Sequence, residues 1–436
     1  MRVAVVGGGM AGLAAAHELS TGGADVLVLE GSSRIGGKLL LGEVGGLTLD
    51  LGAESILARR PEGLDLMHAV GLDDRVVNPR TTDAAIWTHG SLRPMPPTVM
   101  GIPASNDLNG IAVVDPHVVD VPDGDVSVAE FVSARLGADV VDRLVEPLLG
   151  GVYAGHADQL SLQATAPQIA ALGSDLLTAA TTARAGATAS GPVFAGLVGG
   201  VGRLPGAVAD GIEVRLDATV REIARMGDAW RLSVGLTTDV ESVDVDAVVV
   251  AAPAPAAARL LSEAAPDAAF ALAAIDYASV AIVTYVFDDG PSFDGSGFLV
   301  PPVDGTFIKA ATVSSNKWGW VRDTGRTVIR ASVGRAGEAT LLQTNDTDLT
   351  ARALADLRSA FGALPEPIDS LVQRWGGGLP QYAVGHLDRI DTIERDIATV
   401  SGLEVCGAAY RGVGIPAVIA SGWAAARRLL DGTMDA

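Results

Sequence analysis

Three glycines and one carboxylate within the first thirty residues have the types and spacing to hold a dinucleotide. Gly7, Gly9 and Gly12 keep a GxGxxG pattern between an apolar, β-branched run at residues 3–6 and a stretch of helical composition at 13–19. In that pattern the first glycine permits a tight turn, the second lets backbone approach a pyrophosphate, and the third lets helix and strand pack closely. The helix start then turns unpaired N–H groups and a positive dipole end toward the phosphates. A returning apolar run at 26–29 ends in Glu30, about 20 residues beyond the glycines, where an acid can accept both hydroxyls of an adenosine ribose. An ordinary glycine-rich turn is the competing reading. It requires neither the flanking strand and helix nor the acid at that distance.

The next residues choose among dinucleotides. Glu30-Gly31-Ser32-Ser33-Arg34-Ile35-Gly36-Gly37-Lys38 sets two cations and two glycines just after the ribose acid. This stretch resembles the second fingerprint of the glutathione-reductase-type flavoproteins, in which the loop covers the FAD pyrophosphate. Asp50-Leu51-Gly52-Ala53-Glu54-Ser55 follows, and in that superfamily the corresponding turn lies along the flavin. The resemblance implies FAD, held non-covalently, since no Cys or His nearby is suited to a flavin link.

Composition bounds what the rest of the chain does. With 436 residues the chain exceeds one comfortable core, so two or three domains are expected. An apolar content of 48%, few aromatics and 53 glycines describe a globular enzyme and exclude a disordered chain. No apolar run reaches the ~18 residues of a membrane span, and residues 1–3 lead straight into a core strand, so a cytoplasmic protein without a signal peptide is expected. The formal charge of −21 argues against nucleic acid and anionic lipid surfaces. Cys406, the one cysteine, reads as filler in a buried strand. There is neither a metal-spaced His/Cys cluster nor an elbow-like serine motif.

Around the opening unit the elements form an α/β plus α+β arrangement: a glutathione-reductase-type FAD-binding domain, a sheet-based substrate domain and a helical insertion. The FAD-binding parts are placed at 1–80, 192–272 and 386–436, the substrate domain at 81–98 and 273–385, and the insertion at 99–191. A helix is expected from about Pro61 to Gly71 and strands at 84–88, 213–216, 218–223, 230–234 and 247–252. Alternating strands are expected over 279–333, and a last helix over 420–430. The small, polar stretch 178–190 reads as a mobile surface loop.

Later segments narrow the resemblance. Leu144-Val145-Glu146-Pro147-Leu148-Leu149-Gly150-Gly151-Val152-Tyr153-Ala154-Gly155 resembles the helix-to-loop signature of the protoporphyrinogen/coproporphyrinogen oxidases of haem synthesis, and residues 197–205 match amine oxidases more generally. Arg374-Trp375, Leu379-Pro380-Gln381-Tyr382-Ala383-Val384-Gly385-His386 and Gly412-Val413-Gly414-Ile415-Pro416 are similar to later segments of the same family, nearest its soluble bacterial type acting on coproporphyrinogen III. The resemblance implies FAD contacts from Gly7, Gly9, Met10, Ala11, Gly12, Glu30, Arg34, Lys38, Gly52, Ala53, Glu54, Ser55, Val220, Trp375, Val413, Gly414 and Ile415. It also implies a porphyrinogen substrate, hydride transfer to the flavin, molecular oxygen as oxidant and hydrogen peroxide as product. Transient contact with ferrochelatase would accompany that role.

The chain departs from the family at Pro416-Ala417-Val418, where Pro-Asp-Cys is usual, and in a shortened segment at 103–124. Arg59, Arg60, Tyr410 and His386 are the candidate substrate contacts: the arginines as cations at the pocket mouth, Tyr410 as a flavin-facing aromatic, His386 as a group titrating near neutrality. Two other readings remain open, a flavin amine oxidase and a flavin-binding partner without turnover. The first would need a second aromatic beside Tyr410.

Overall fold

The computed structural model describes residues 1–186 and 191–434. The opening strand Arg2–Val6 lies in the middle of a five-stranded parallel sheet, flanked by Asp25–Leu29 and Glu213–Arg215 on one side and by Ala247–Val250 and Leu403–Val405 on the other. Chain segments some two hundred residues apart thus meet in one sheet. Alternate residues of the three central strands bury opposite faces, which is why residues 3–6, 26–29 and 247–250 are all apolar. Val3, Val5, Val26, Val28 and Val249 pack under the helices Met10–Thr21 and Ile415–Met434. Ala4, Val6, Leu27, Leu29 and Val250 pack under Trp230, Leu232 and the helices Ala254–Leu261, Pro266–Ala273 and His386–Ile397.

A seven-stranded sheet is built from Ala84–Thr88, Ser91–Pro94, Gly297–Leu299, Ile308–Val313, Thr327–Val333, Tyr277–Phe287 and Asp369–Pro380. One face carries Ala281, Val283, Tyr285, Ile329 and Ala331 against the helix Asp346–Phe361. The alternate residues, among them Val280, Ile282, Arg330 and Ser332, turn to the other face. Between the Ile308 and Ala310 pairings the register with Thr327–Val333 shifts, so Lys309 is the extra residue of a β-bulge.

The regular structure between residues 104 and 186 is helical, with Val128–Leu136 followed by a π-helical turn, Val141–Val145, and the helix Glu146–Val152. No helix forms between Pro103 and Val128; that stretch is strapped down by buried Arg135, whose guanidinium donates to Val119 O and Asp120 O. The expected loop at 178–190 needs correction: residues 176–185 form a helix. Asp175 caps it by accepting from Thr178 N, Leu176 and Ala180 bury its inner face, and Thr181 and Thr182 hydroxyls donate to carbonyls one turn back. Low complexity concealed a capped amphipathic turn; residues 187–190 of that stretch lie outside the described residues. The polar strand Asp239–Val245 was also unforeseen, because most of its side chains face solvent.

Candidate active site

A cavity of about 690 Å³ runs from the carboxyl end of the parallel sheet to the free face of the larger sheet. Its first half is lined by Gly7, Gly9, Met10, Ala11, Glu30, Gly36, Gly37, Lys38 and Val220, together with Thr219 and Arg259. The three glycines differ in what surrounds them. Gly7 has φ +114° and a Cβ there would meet Ala251 O at 2.8 Å. Gly12 does not line the cavity: a Cβ would lie 2.0 Å from Gly7 O, so this glycine lets the helix seat on its strand. At Gly9 a Cβ would meet nothing within 4 Å, so the open space there belongs to the cavity. Gly9 also begins the helix without a side-chain cap.

Glu30 accepts from Gly8 N at 2.7 Å and from Ser32 N and Oγ at 2.8 and 2.7 Å, which fixes its carboxylate at the cavity wall. Lys38 lines the cavity, and desolvation of its charge lowers its pKa. Arg34 does not line the cavity. Its guanidinium donates to Ile35 O and Gly37 O, bracing the loop that carries Lys38.

Gly52, Ala53 and Ser55 line the middle of the cavity; Glu54 does not. Its carboxylate turns the other way, accepting from Lys317 Nζ at 2.7 Å, Arg330 Nη1 at 2.8 Å and Ser314 Oγ at 2.9 Å. Burial works against its charge, yet the Lys317 and Arg330 cations hold its carboxyl well below the usual range. Arg330 also donates to Gly52 O. The turn beside the cavity is therefore clamped to the larger sheet by a buried ion cluster.

Asp50 secures the other flank, accepting from Val201 N at 3.0 Å and Gly202 N at 2.9 Å. Burial raises its pKa to about 6 against these bonds and the Arg330 charge. A carboxyl raised above its unfolded value of about 3.9 contributes stability that is present below that value and lost as pH rises through the folded one. Asp50→Asn should remove this dependence. Thermal melts at pH 5 and 7 are expected to show the wild type losing more Tm over the interval than the variant. The variant should also be less stable at pH 5, because its amide N–H faces a backbone N–H, a mismatch worth about 1–3 kcal/mol.

The far half is lined by Trp375, Leu379, Val413, Gly414 and Ile415, with Gly151, Val152, Tyr277, Val280, Ile282, Lys309 and Ser332. His386 and Tyr410 are not among them. Tyr410 is packed in the core, and burial holds its phenol protonated. His386 is fully buried at the start of a helix, stacked on Tyr382 at 3.8 Å, with Nε2–H donating to Tyr410 O at 2.8 Å. Burial drives its pKa down to about 4, so it stays neutral at physiological pH. Tyr382 Oη accepts from Gly412 N and donates to Ala408 O. The Tyr382–His386 pair thus braces the 407–415 turn from behind and stays out of the cavity.

Arg59 and Arg60 also lie away from the cavity lining; both are exposed, and Arg60 pairs with Glu62 at 2.6 Å. Exposed pairs of this kind contribute only about 0–1 kcal/mol. Replacing both arginines with Ala is therefore expected to leave KM within about twofold of wild type at low salt, in contrast to the pocket-mouth role their sequence position suggests. A large rise in steady-state KM would return them to the site. The residues that sequence reasoning missed include Thr219, Arg259, Ser332 and Lys309. Only Lys309 left a readable signal, a lone cation in an otherwise uncharged strand.

The residues present fit a long, flat, doubly phosphorylated ligand: glycines open the cavity at Gly9 and Gly414, a helix start and Lys38 face the phosphate region, and Glu30 stands at one end. A family model described as flavin containing amine oxidoreductase matches residues 10–430. The chain belongs to that family. This amine oxidoreductase relative is an enzyme, and its cofactor is FAD. It is 36% identical to the coproporphyrinogen III oxidase of Mycobacterium leprae, over 96% of this chain and 95% of the relative. It is 31% identical to that of Bacillus subtilis, over 97% and 96%. A solved chain from Exiguobacterium sp. 255-15, provisionally described as a protoporphyrinogen oxidase, superposes with a TM-score of 0.87 at 31% identity, covering 99% of both chains. Among the described residues no helix is long and apolar enough to cross a membrane, and no group of three or more His, Cys, Asp or Glu could hold a metal ion.

Proposed function

We propose that this flavoenzyme oxidises a porphyrinogen, coproporphyrinogen III before protoporphyrinogen IX, to the corresponding porphyrin in haem synthesis. The similarity along nearly the whole chain to coproporphyrinogen III oxidases carries the reading. The far half of the cavity supports it: Val152, Val280, Ile282 and Leu379 offer an apolar wall for a large macrocycle, with a cation at its edge. On this reading the strands 2–6, 25–29, 213–215, 247–250 and 403–405 form a glutathione-reductase-type FAD-binding domain from the three separate stretches. The seven-stranded sheet belongs to the substrate domain, and residues 99–191 are its helical insertion.

FAD, when bound, supplies the acceptor for a hydride leaving a methylene bridge of the substrate. The chain's own residues hold and orient. Glu30 receives the ribose hydroxyls, Met10 and Ala11 offer backbone N–H groups to the phosphates, and Lys38 adds a cation there. The 52–55 turn, Trp375 and the 413–415 turn grip the ring system, with Ile415 beginning a helix whose positive end faces that side. Val280, Ile282 and Leu379 exclude water and press the macrocycle against the cofactor. Tyr410 lies away from this half, so it does not supply the flavin-facing aromatic that the amine-oxidase reading would need.

Six electrons separate porphyrinogen from porphyrin. Incubating the FAD-loaded protein aerobically with coproporphyrinogen III should yield coproporphyrin fluorescence with about three hydrogen peroxide molecules per porphyrin. Failure to form porphyrin under air would overturn the reading. Oxygen as oxidant, a cytoplasmic location and a transient hand-over to ferrochelatase are parts of the same proposal.

A further inference from the structure

Two cations stand on the cavity-facing side of the larger sheet, and they are treated differently. Arg330 is 8% exposed and has the Glu54 carboxylate at 2.8 Å. Lys309 is 4% exposed, lines the cavity, and among the described residues has no carboxylate within ion-pair distance. Its Nζ donates to Gly150 O at 3.0 Å, whereas an ammonium carries three donors. The neighbouring Arg335 is buried as well; it donates to Val300 O at 3.3 Å and has the Glu338 carboxylate at 3.9 Å. Glu338 is the acid whose charge acts on both buried cations, while Arg335 also feels Glu146, which leaves Lys309 the less compensated of the two in a protein of net charge −21.

We propose that Lys309 is the carboxylate-binding residue of the substrate half, receiving one carboxylate side chain of the porphyrinogen at the bulge where Gly150, Gly151 and Ser332 meet. The proposal rests on the porphyrinogen reading above. A bulge is a recurrent device for re-aiming one side chain from a sheet, and here it delivers the cation to an otherwise apolar wall. Burial, reinforced by the Arg335 charge and opposed by Glu338, brings the Lys309 pKa down to about 7. An arriving carboxylate reverses that shift by supplying the missing opposite charge. The contact is formed alike in ground and transition states, so its loss should raise KM more than it lowers kcat.

The probes are coproporphyrin III and its tetramethyl ester, each titrated by fluorescence quenching into FAD-loaded protein in the same detergent, for the wild type, Lys309→Met and Lys309→Arg. Lys309→Met exchanges a buried ammonium for an apolar chain of similar length, so its FAD content and Tm should match or exceed wild type. The expected result is an affinity loss of about tenfold or more for the acid in Lys309→Met, an unchanged ester affinity, and an acid affinity within about threefold of wild type in Lys309→Arg. Equal losses for acid and ester would make Lys309 a packing residue and overturn the proposal, as would equal acid affinity in Lys309→Met and wild type. A wild type that binds neither porphyrin nor oxidises coproporphyrinogen III would overturn the porphyrinogen reading and this inference with it. Wild-type turnover combined with an insensitive Lys309→Met would remove the inference alone.

Discussion

Gly9→Val is expected to give a protein that folds and is colourless, whereas Gly12→Val is expected not to fold. A Cβ at Gly9 would meet no protein atom within 4 Å, and its backbone angles, φ −73° and ψ 174°, suit any residue. The branched side chain would instead occupy cavity space at the helix start, where the pyrophosphate must approach. A loss of FAD affinity of at least about a hundredfold, near 2.7 kcal/mol, is expected. At Gly12 a Cβ would lie 2.0 Å from Gly7 O and 3.1 Å from the Ala251 side chain. Replacing a helical glycine with Ala normally stabilises by about 1 kcal/mol. Here, overpacking against immobile backbone, costing about 3 kcal/mol or more, should win. Even Gly12→Ala should therefore lower Tm. Circular dichroism melts beside flavin absorbance separate the two positions; a yellow Gly9→Val, or a Gly12→Ala as stable as wild type, would contradict this placement.

The second large effect is expected at Glu54. Its side chain is 12% exposed between Lys317 and Arg330, at 15% and 8%. Glu54→Gln leaves two largely buried cations without their anion, and breaking such a cluster costs about 3–5 kcal/mol. Because Arg330 also holds Gly52 O, FAD affinity should fall in parallel with stability. Replacing the whole cluster with Glu54→Leu, Lys317→Met and Arg330→Met should recover most of the stability, since the loss comes from uncompensated charge. The pH dependence has a definite sign. A carboxyl held below its unfolded value contributes stability that is present above about pH 4.3 and lost as pH falls further, toward the lower folded value. Urea unfolding below pH 4 should therefore weaken the wild type more than Glu54→Gln. If Glu54→Gln unfolds within about 1 kcal/mol of wild type at pH 7, the cluster does not clamp the turn.

These effects separate what was legible in the residues from what was not. The opening strand, helix and returning strand were readable because their causes are local. Gly7, Gly9 and Gly12 stand at spacings set by backbone sterics, Glu30 follows at the length of one βαβ unit, and strands covered on both faces must be apolar at every position. A dinucleotide followed from the same stretch, and FAD from the resemblance of residues 30–38 and 50–55 to flavoprotein fingerprints. The remaining site depended on partners hundreds of residues away. Glu54 looks like a cavity residue in the sequence and is drawn off it by Lys317 and Arg330. His386 and Tyr410 look available for chemistry and are joined to each other in the core. Arg59 and Arg60 follow the cavity turn directly, but the strand Ile56–Leu57 and the helix from Pro61 carry them outward. Lys309 reaches the cavity only because a register shift between two strands turns it there. Sequence determined the conformations that short-range sterics and burial dictate; tertiary structure decided which charged side chains meet, because electrostatic pairing depends on distances that only the folded chain creates.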